Sequence, residues 1–147
     1  MTTTILALDQ GNRICRVFVR ACSEQQVTSI NGLRWREVPG WPEYEISEYG
    51  DVRRKMAGGS PIAKPGRLLR PSGNRYRHVN LYGEAGRQHI SLHRLVALAF
   101  IGEPPSCAHQ VAHNDGDRLN NHYTNLRYAT PRENAADRVR QDRKSVV

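Results

Sequence analysis

Short apolar runs parted by glycine and proline set the rhythm of this chain, and they predict many brief elements rather than a few long ones. Over residues 35–53 the apolar positions Trp35, Val38, Tyr44, Ile46 and Val52 alternate with polar neighbours about Gly40, which predicts a strand, a tight turn and a second strand. Trp35, Val38, Tyr44 and Ile46 are expected in a core before any ligand contact. Residues 66–71, 76–81 and 88–92 read as three further strands, separated by Ser72, Gly73 and Asn74 and by a turn over 83–86, so a small antiparallel sheet follows. Leu92, Leu95, Val96, Ala99 and Phe100 fall at helical spacing, and Gly102 with Pro104 and Pro105 stops that helix. His93 opens it, a place where a hydrogen-bonded packing residue is more common than a ligand.

The downstream pattern is a strand, a loop, a strand and a helix. Val111 to His113 reads as a strand end, and Asp115, Gly116 and Asp117 as a tight turn whose side chains can hold their own backbone. Asn120, Asn121 and Asn125 supply amide donors and acceptors to a loop with few apolar anchors. Leu126 and Tyr128 anchor the second strand. Thr130, Pro131 and Glu133 form a capping box with proline at the first helical position, so a helix starts there and is expected through Arg140. Residues 1–33 read differently: two short apolar runs, 5–8 and 14–19, flank Asp9, Gly11 and Asn12 and suggest a hairpin or a poorly ordered extension.

Composition narrows the class. A length of 147 residues fits one domain, and 38% hydrophobic with 7% aromatic residues limits it to a modest core. No window approaches the ~18 consecutive apolar residues of a membrane span, and the start lacks a signal-peptide layout, so a cytoplasmic protein is expected. Cys15, Cys22 and Cys107 stand alone, which supports neither a disulfide framework nor structural zinc. The formal charge of +8 favours polyanionic partners. Between positions 53 and 94 the basic residues Arg53, Arg54, Lys55, Lys64, Arg67, Arg70, Arg75, Arg77, Arg87 and Arg94 face a single acid, Glu84. They interleave with Tyr76, His78, Tyr82 and turn glycines, which suits strands and loops lying along a phosphate backbone, although a solvated basic face is the plainer reading. Membrane binding would want an amphipathic helix there, and none is legible.

Two motifs carry a resemblance. Residues 35–54 resemble the NUMOD4 module that precedes HNH motifs in phage and intron-encoded endonucleases, which implies a DNA-contacting appendage. His113, Asp115, Gly116, Asp117, Asn120 and Asn121, then Asn125, Leu126 and Arg127, then Glu133 and Asn134, resemble the HNH motif in register. Over residues 35–138 the chain is therefore similar to phage-type HNH homing endonucleases. The resemblance implies an α+β fold, a small antiparallel sheet followed by a ββα-metal (His-Me finger) HNH core. It also divides the chain into an extension at 1–33, a NUMOD4-like module at 34–91 and a nuclease core with a basic helix at 92–147.

By the same resemblance His113 is the general base of phosphodiester hydrolysis, Asn125 orients the loop and the base, and Asn134 is a metal ligand. A neutral amide oxygen suits one hard divalent ion, Mg²⁺ with Mn²⁺ as an alternative, that keeps several waters. The position before the base often carries an aspartate or histidine ligand in this family, and here it is Ala112. Asp115 and His109 are candidate compensating ligands, although Asp115 and Asp117 are more often turn formers. Arg53, Arg54, Lys55, Arg67, Arg70, Arg75, Arg77, Arg94 and Arg127 are the candidate DNA contacts. The function implied is nicking or cutting of double-stranded DNA. The alternative is a weak or inactive HNH-fold DNA-binding module, for example in phage DNA packaging.

Overall fold

The computed structural model describes residues 28–30, 32–55, 64–83 and 86–144. The hairpin expected before residue 28, with Cys15 and Cys22, lies outside them. Strands β1 (Thr28–Ile30), β2 (Leu33–Val38), β3 (Trp41–Ser47) and β4 (Val52–Arg54) form an antiparallel sheet in sequential order. The expected pair is thus a meander. Strands β5 (His78–Gly83) and β6 (Gly86–Ser91) make a hairpin that runs directly into α1 (Leu92–Val96). A wider π turn, Ala97–Ile101, continues α1 to Gly102. Strands β7 (Gln110–His113) and β8 (Leu126–Ala129) pair antiparallel, and α2 (Pro131–Lys144) follows. Among the described residues no helix is long and apolar enough to cross a membrane.

The strand expected over residues 66–71 does not form. Leu69 donates its N–H to Val52 O at 2.7 Å and Leu68 makes one isolated bridge to Arg53, so the segment only brushes β4. Pro65 and Pro71 flank it, and a proline cannot donate to a ladder. The next strand begins at His78 rather than at residue 76, because residues 72–78 form a turn closed by paired Ser72 and His78 bonds at 2.9 and 2.8 Å. Gly73 makes that turn possible. Its φ is +97°, and a Cβ there would sit 2.3 Å from Tyr76 O.

One apolar cluster joins these parts across the expected boundary between residues 91 and 92. Val38, Tyr44, Ile46 and Val52 of the first sheet meet Val79, Leu81 and Ile90 of the hairpin, Leu92, Leu95 and Val96 of α1, and Leu126 of β8. Each such side chain, fully buried, contributes about 1.5–3 kcal/mol. Polar contacts fix the seams. Tyr82 N donates to Tyr44 Oη at 3.2 Å, and Arg36 Nη1 donates to Ala99 O at 3.0 Å. Gly50, at φ +94°, brings its Cα so close to Asn121 that a Cβ would lie 3.2 Å from the Asn121 Cβ. The β3–β4 turn therefore presses on the loop that follows β7.

Helix α2 docks differently. Of residues 131–140, only Asn134 and Asp137 are even half-buried, so its inward face is polar. Asn134 Nδ2 donates to Gln110 Oε1 at 3.1 Å, and Asp137 pairs with Arg127 of β8. The capping box forms as its sequence implies: Glu133 N donates to Thr130 Oγ1 at 3.3 Å and Thr130 N to Glu133 Oε2 at 2.8 Å.

Candidate active site

Strand β7 ends on His113, and the loop after it is knitted by its own side chains. Asn114 N donates to Asn125 O at 2.8 Å, and Asp115 N to Asn125 Oδ1 at 3.1 Å. The Asp115 carboxylate accepts from Asn120 Nδ2 at 2.7 Å, Asn125 Nδ2 at 2.8 Å and Asp117 N at 2.8 Å. Burial pulls its pKa upward, but the Asn120 and Asn125 donors outweigh that and hold the carboxyl below its ordinary value. Asp117 in turn accepts from Leu119 N at 2.9 Å. Both aspartates therefore work as turn formers. Asn125 braces the loop as expected, through a further 2.9 Å bond to Asn120 O.

The amide that reaches the imidazole belongs to Asn121, not Asn125. Asn121 is buried, and its Oδ1 lies 3.4 Å from His113 Nε2, a long contact. A carbonyl oxygen can only accept, so the tautomer that makes this bond carries its proton on Nε2 and leaves the Nδ1 lone pair free. Burial, the largest cause, pushes the His113 pKa below its ordinary value, with Arg118 adding to the shift and the Asn121 bond and Asp115 and Asp117 opposing it. The His113 imidazole is thus uncharged at neutral pH.

Two rings complete the surroundings. His93 on α1 lies 5.3 Å from His113 between ring centroids, and Tyr76 lies 5.2 Å from His93 and 6.4 Å from His113. His93 packs as expected, but its buried Nδ1 has no hydrogen-bond partner among the described residues. Burial first, then the charges of His113, Arg94 and His78, push its pKa down to about 3. Sequence reasoning missed Asn121 and Tyr76 as site residues. Asn121 lies within the HNH motif but read as one of three loop amides, and Tyr76 read as one ring among the basic residues.

The candidate metal donors are thinly spread. Asn134 spends Nδ2 on Gln110, which leaves its Oδ1 as the available oxygen. His109 Nδ1 shares a 2.8 Å hydrogen bond with Ser106 Oγ, and Asp115 is committed to its loop. Among the described residues no three His, Cys, Asp or Glu side chains gather as a metal-binding group. This donor set fits a hard ion shared with a phosphate and waters, not one caged by protein alone.

The candidate DNA contacts divide in two. Arg53 pairs with Glu45 at 2.6 Å, Arg54 with Glu43 at 2.9 Å, Lys55 with Glu37 at 2.9 Å, and Arg127 with Asp137. Arg53 also lies 4.1 Å over the Trp35 ring. These four are paired within the chain with acids outside the 53–94 window. Arg67, Arg70, Arg75 and Arg77 are exposed on the segment leading into β5, and Arg94 is half-buried on α1.

Comparison with known proteins decides the family. The HNH endonuclease family matches residues 91–136, and the NUMOD4 motif matches residues 34–82. Residues 91–136 of this chain belong to the HNH endonuclease family. YosQ, an SPbeta prophage-derived protein of Bacillus subtilis (strain 168) named as an HNH homing endonuclease, is 49% identical over 100 residues, which cover 67% of this chain and 51% of YosQ. L245 of Acanthamoeba polyphaga mimivirus, named as an HNH endonuclease, is 33% identical over 103 residues, 69% of this chain and 28% of L245. A solved structure titled for DNA binding and cleavage by the HNH homing endonuclease I-HmuI superposes with a TM-score of 0.60 at 26% identity, covering 74% of this chain and 59% of that one. I-HmuI comes from Bacillus phage SP01. The HNH chain described here thus spans less than two thirds of the length of each of these relatives. The expected α+β class and HNH identity hold.

Proposed function

We propose that this HNH chain hydrolyses phosphodiester bonds in double-stranded DNA, nicking or cutting it, with a divalent metal ion, Mg²⁺ first. The observation that carries the reading is His113: a buried, uncharged imidazole at the end of β7, tied through Nε2 to Asn121, with Nδ1 free to take a proton from water. In this reaction His113 deprotonates the attacking water, a new P–O bond forms, and the bond to the leaving 3′ oxygen breaks. Asn125 and Asp115 keep the loop rigid while Asn121 fixes the ring. Asn134 would hold the ion through Oδ1, and a bound ion supplies charge neutralisation to the phosphate and the leaving oxygen. Asp115 and His109, already hydrogen-bonded, are assigned no ligand role. Arg70, Arg75 and Arg77 are the backbone contacts that the charge pairing leaves in favour.

Ala112 favours a second reading, a DNA-binding module with little or no catalysis, because the position before the base offers no donor. A Mg²⁺-dependent plasmid-nicking assay with His113→Ala as control separates the two. The nuclease reading expects wild type to nick and the variant to be silent. Equal, negligible nicking by both in Mg²⁺ and Mn²⁺ refutes it.

A further inference from the structure

Arg118 occupies an unusual place among the cations of this fold. It sits in the turn between Asp117 and Leu119, half-buried, with its guanidinium 5.6 Å from the centroid of the Tyr76 ring. The same ring lies beside His93 and His113. Arg53, Arg54, Lys55 and Arg127 each have a carboxylate partner, yet Arg118 forms no ion pair among the described residues. Two acids precede it in sequence, and both are engaged by other donors: Asp115 accepts from Asn120, Asn125 and Asp117 N, and Asp117 accepts from Leu119 N. The loop thus spends its carboxylates on backbone and amide donors and leaves its cation bare.

A bare guanidinium next to a buried base is costly unless an anion arrives. It opposes protonation of His113, so it works against the imidazolium that forms when His113 accepts a proton. A phosphodiester would reverse that balance, since its negative charge serves the guanidinium and the imidazolium together. Arginine also suits this anion geometrically, with a planar fork that can grip two non-bridging oxygens at once. Tyr76 supplies the orientation, because a cation over a ring face is held at a fixed height and kept from swinging to a carboxylate. The turn closed at Gly73 positions Tyr76, so the segment before β5 builds this feature together with the HNH loop.

We propose that Arg118, oriented by Tyr76, binds the scissile phosphate and stabilises the charge that builds on its non-bridging oxygens during attack. This rests on the nuclease reading above, and it assigns to a side chain part of the positive charge that the donor-poor metal site supplies weakly. Arg118 is then a catalytic residue and Tyr76 a positioning residue.

Two measurements on the full chain test it. The first is binding of a labelled duplex by fluorescence anisotropy without divalent ion, as a function of salt. Loss of one phosphate contact lowers the slope of log affinity against log salt by about 0.9. Arg118→Gln is expected to show that drop and Arg118→Lys to keep the wild-type slope. The second is single-turnover plasmid nicking at saturating protein, where Arg118→Gln is expected to lose about a hundredfold, the typical effect of removing one donor to a developing oxyanion. Arg118→Lys should recover only part of that, having charge but no fork. Tyr76→Phe, which keeps the ring, should recover the rate that Tyr76→Leu loses. Tyr76→Leu should slow wild type yet add nothing to Arg118→Gln, a result that a merely structural tyrosine would not give.

An unchanged salt slope in Arg118→Gln overturns the phosphate contact. An unchanged saturating rate overturns its catalytic role, as does a loss explained wholly by weaker binding, and additive effects of Tyr76→Leu and Arg118→Gln overturn the orienting role. If wild type and His113→Ala fail to nick alike, the nuclease reading and Arg118's catalytic role fall together. The salt slope still decides the phosphate contact.

Discussion

His93 makes the protein sensitive to acid in a way that a conservative substitution should remove. Its pKa falls from 6.5 in an unfolded chain to about 3 in the fold, chiefly through burial. The unfolded state therefore takes up a proton below pH 6.5 that the native state refuses until about pH 3, so stability is fully present above 6.5 and declines as pH falls through that window. The slope is about 1.4 kcal/mol per pH unit. Between pH 7.5 and pH 5.0 this amounts to about 2 kcal/mol from His93 alone, against a typical total stability of about 5–15 kcal/mol. Carboxylates add little above pH 5, and His113, also depressed by burial, contributes with the same sign. His93→Phe keeps a flat ring against Tyr76 and His113 and replaces a buried Nδ1 that has no partner among the described residues. At pH 7.5 it should be at least as stable as wild type. Urea unfolding of both proteins at the two pH values gives the difference directly: the variant should lose about 2 kcal/mol less than wild type on acidification. Equal losses, or a variant clearly weaker at pH 7.5, would refute the claim that His93 is buried and uncharged.

Two further outcomes follow from the geometry. Asn121→Ala should slow nicking by about 10–100-fold, the usual effect of losing a group that orients a catalytic ligand, while DNA affinity holds; single-turnover rates beside anisotropy titrations check this, and an unchanged rate means Asn121 does not fix the His113 tautomer. Arg54→Ala should leave the salt dependence of DNA binding as in wild type, because Glu43 already neutralises that cation, whereas Arg75→Ala should lower the slope by about 0.9. Equal slopes in the two variants would show that internal pairing does not divide the basic residues as drawn here.

Features that close within a few residues were legible in the sequence. The capping box of Thr130 and Glu133, the Asp115 to Asp117 turn and the stop at Gly102 each depend on neighbours no more than five positions away, and each is found where the pattern put it. The strand that ends on His113 and the helix that starts before Asn134 were legible in the same way. The strand over 66–71 failed because its apolar residues outvoted its flanking prolines in a local count, although a ladder also needs a partner with free donors.

What the tertiary structure decided is which groups face one another. Antiparallel register set Glu45 opposite Arg53 and brought Glu43 and Glu37 to Arg54 and Lys55, so the first three cations of a basic run that looked unopposed along the chain are paired in space. Likewise Arg127 became the dock of α2, and Asn121 rather than Asn125 came to His113, pressed by Gly50 from more than seventy positions earlier. His93 and Tyr76 joined His113 only because the hairpin and α1 pack against the end of β7. A sequence lists charges and donors in one dimension. Charge pairing and burial fall off over a few ångströms in three dimensions, and those distances are fixed only when the sheets and helices pack.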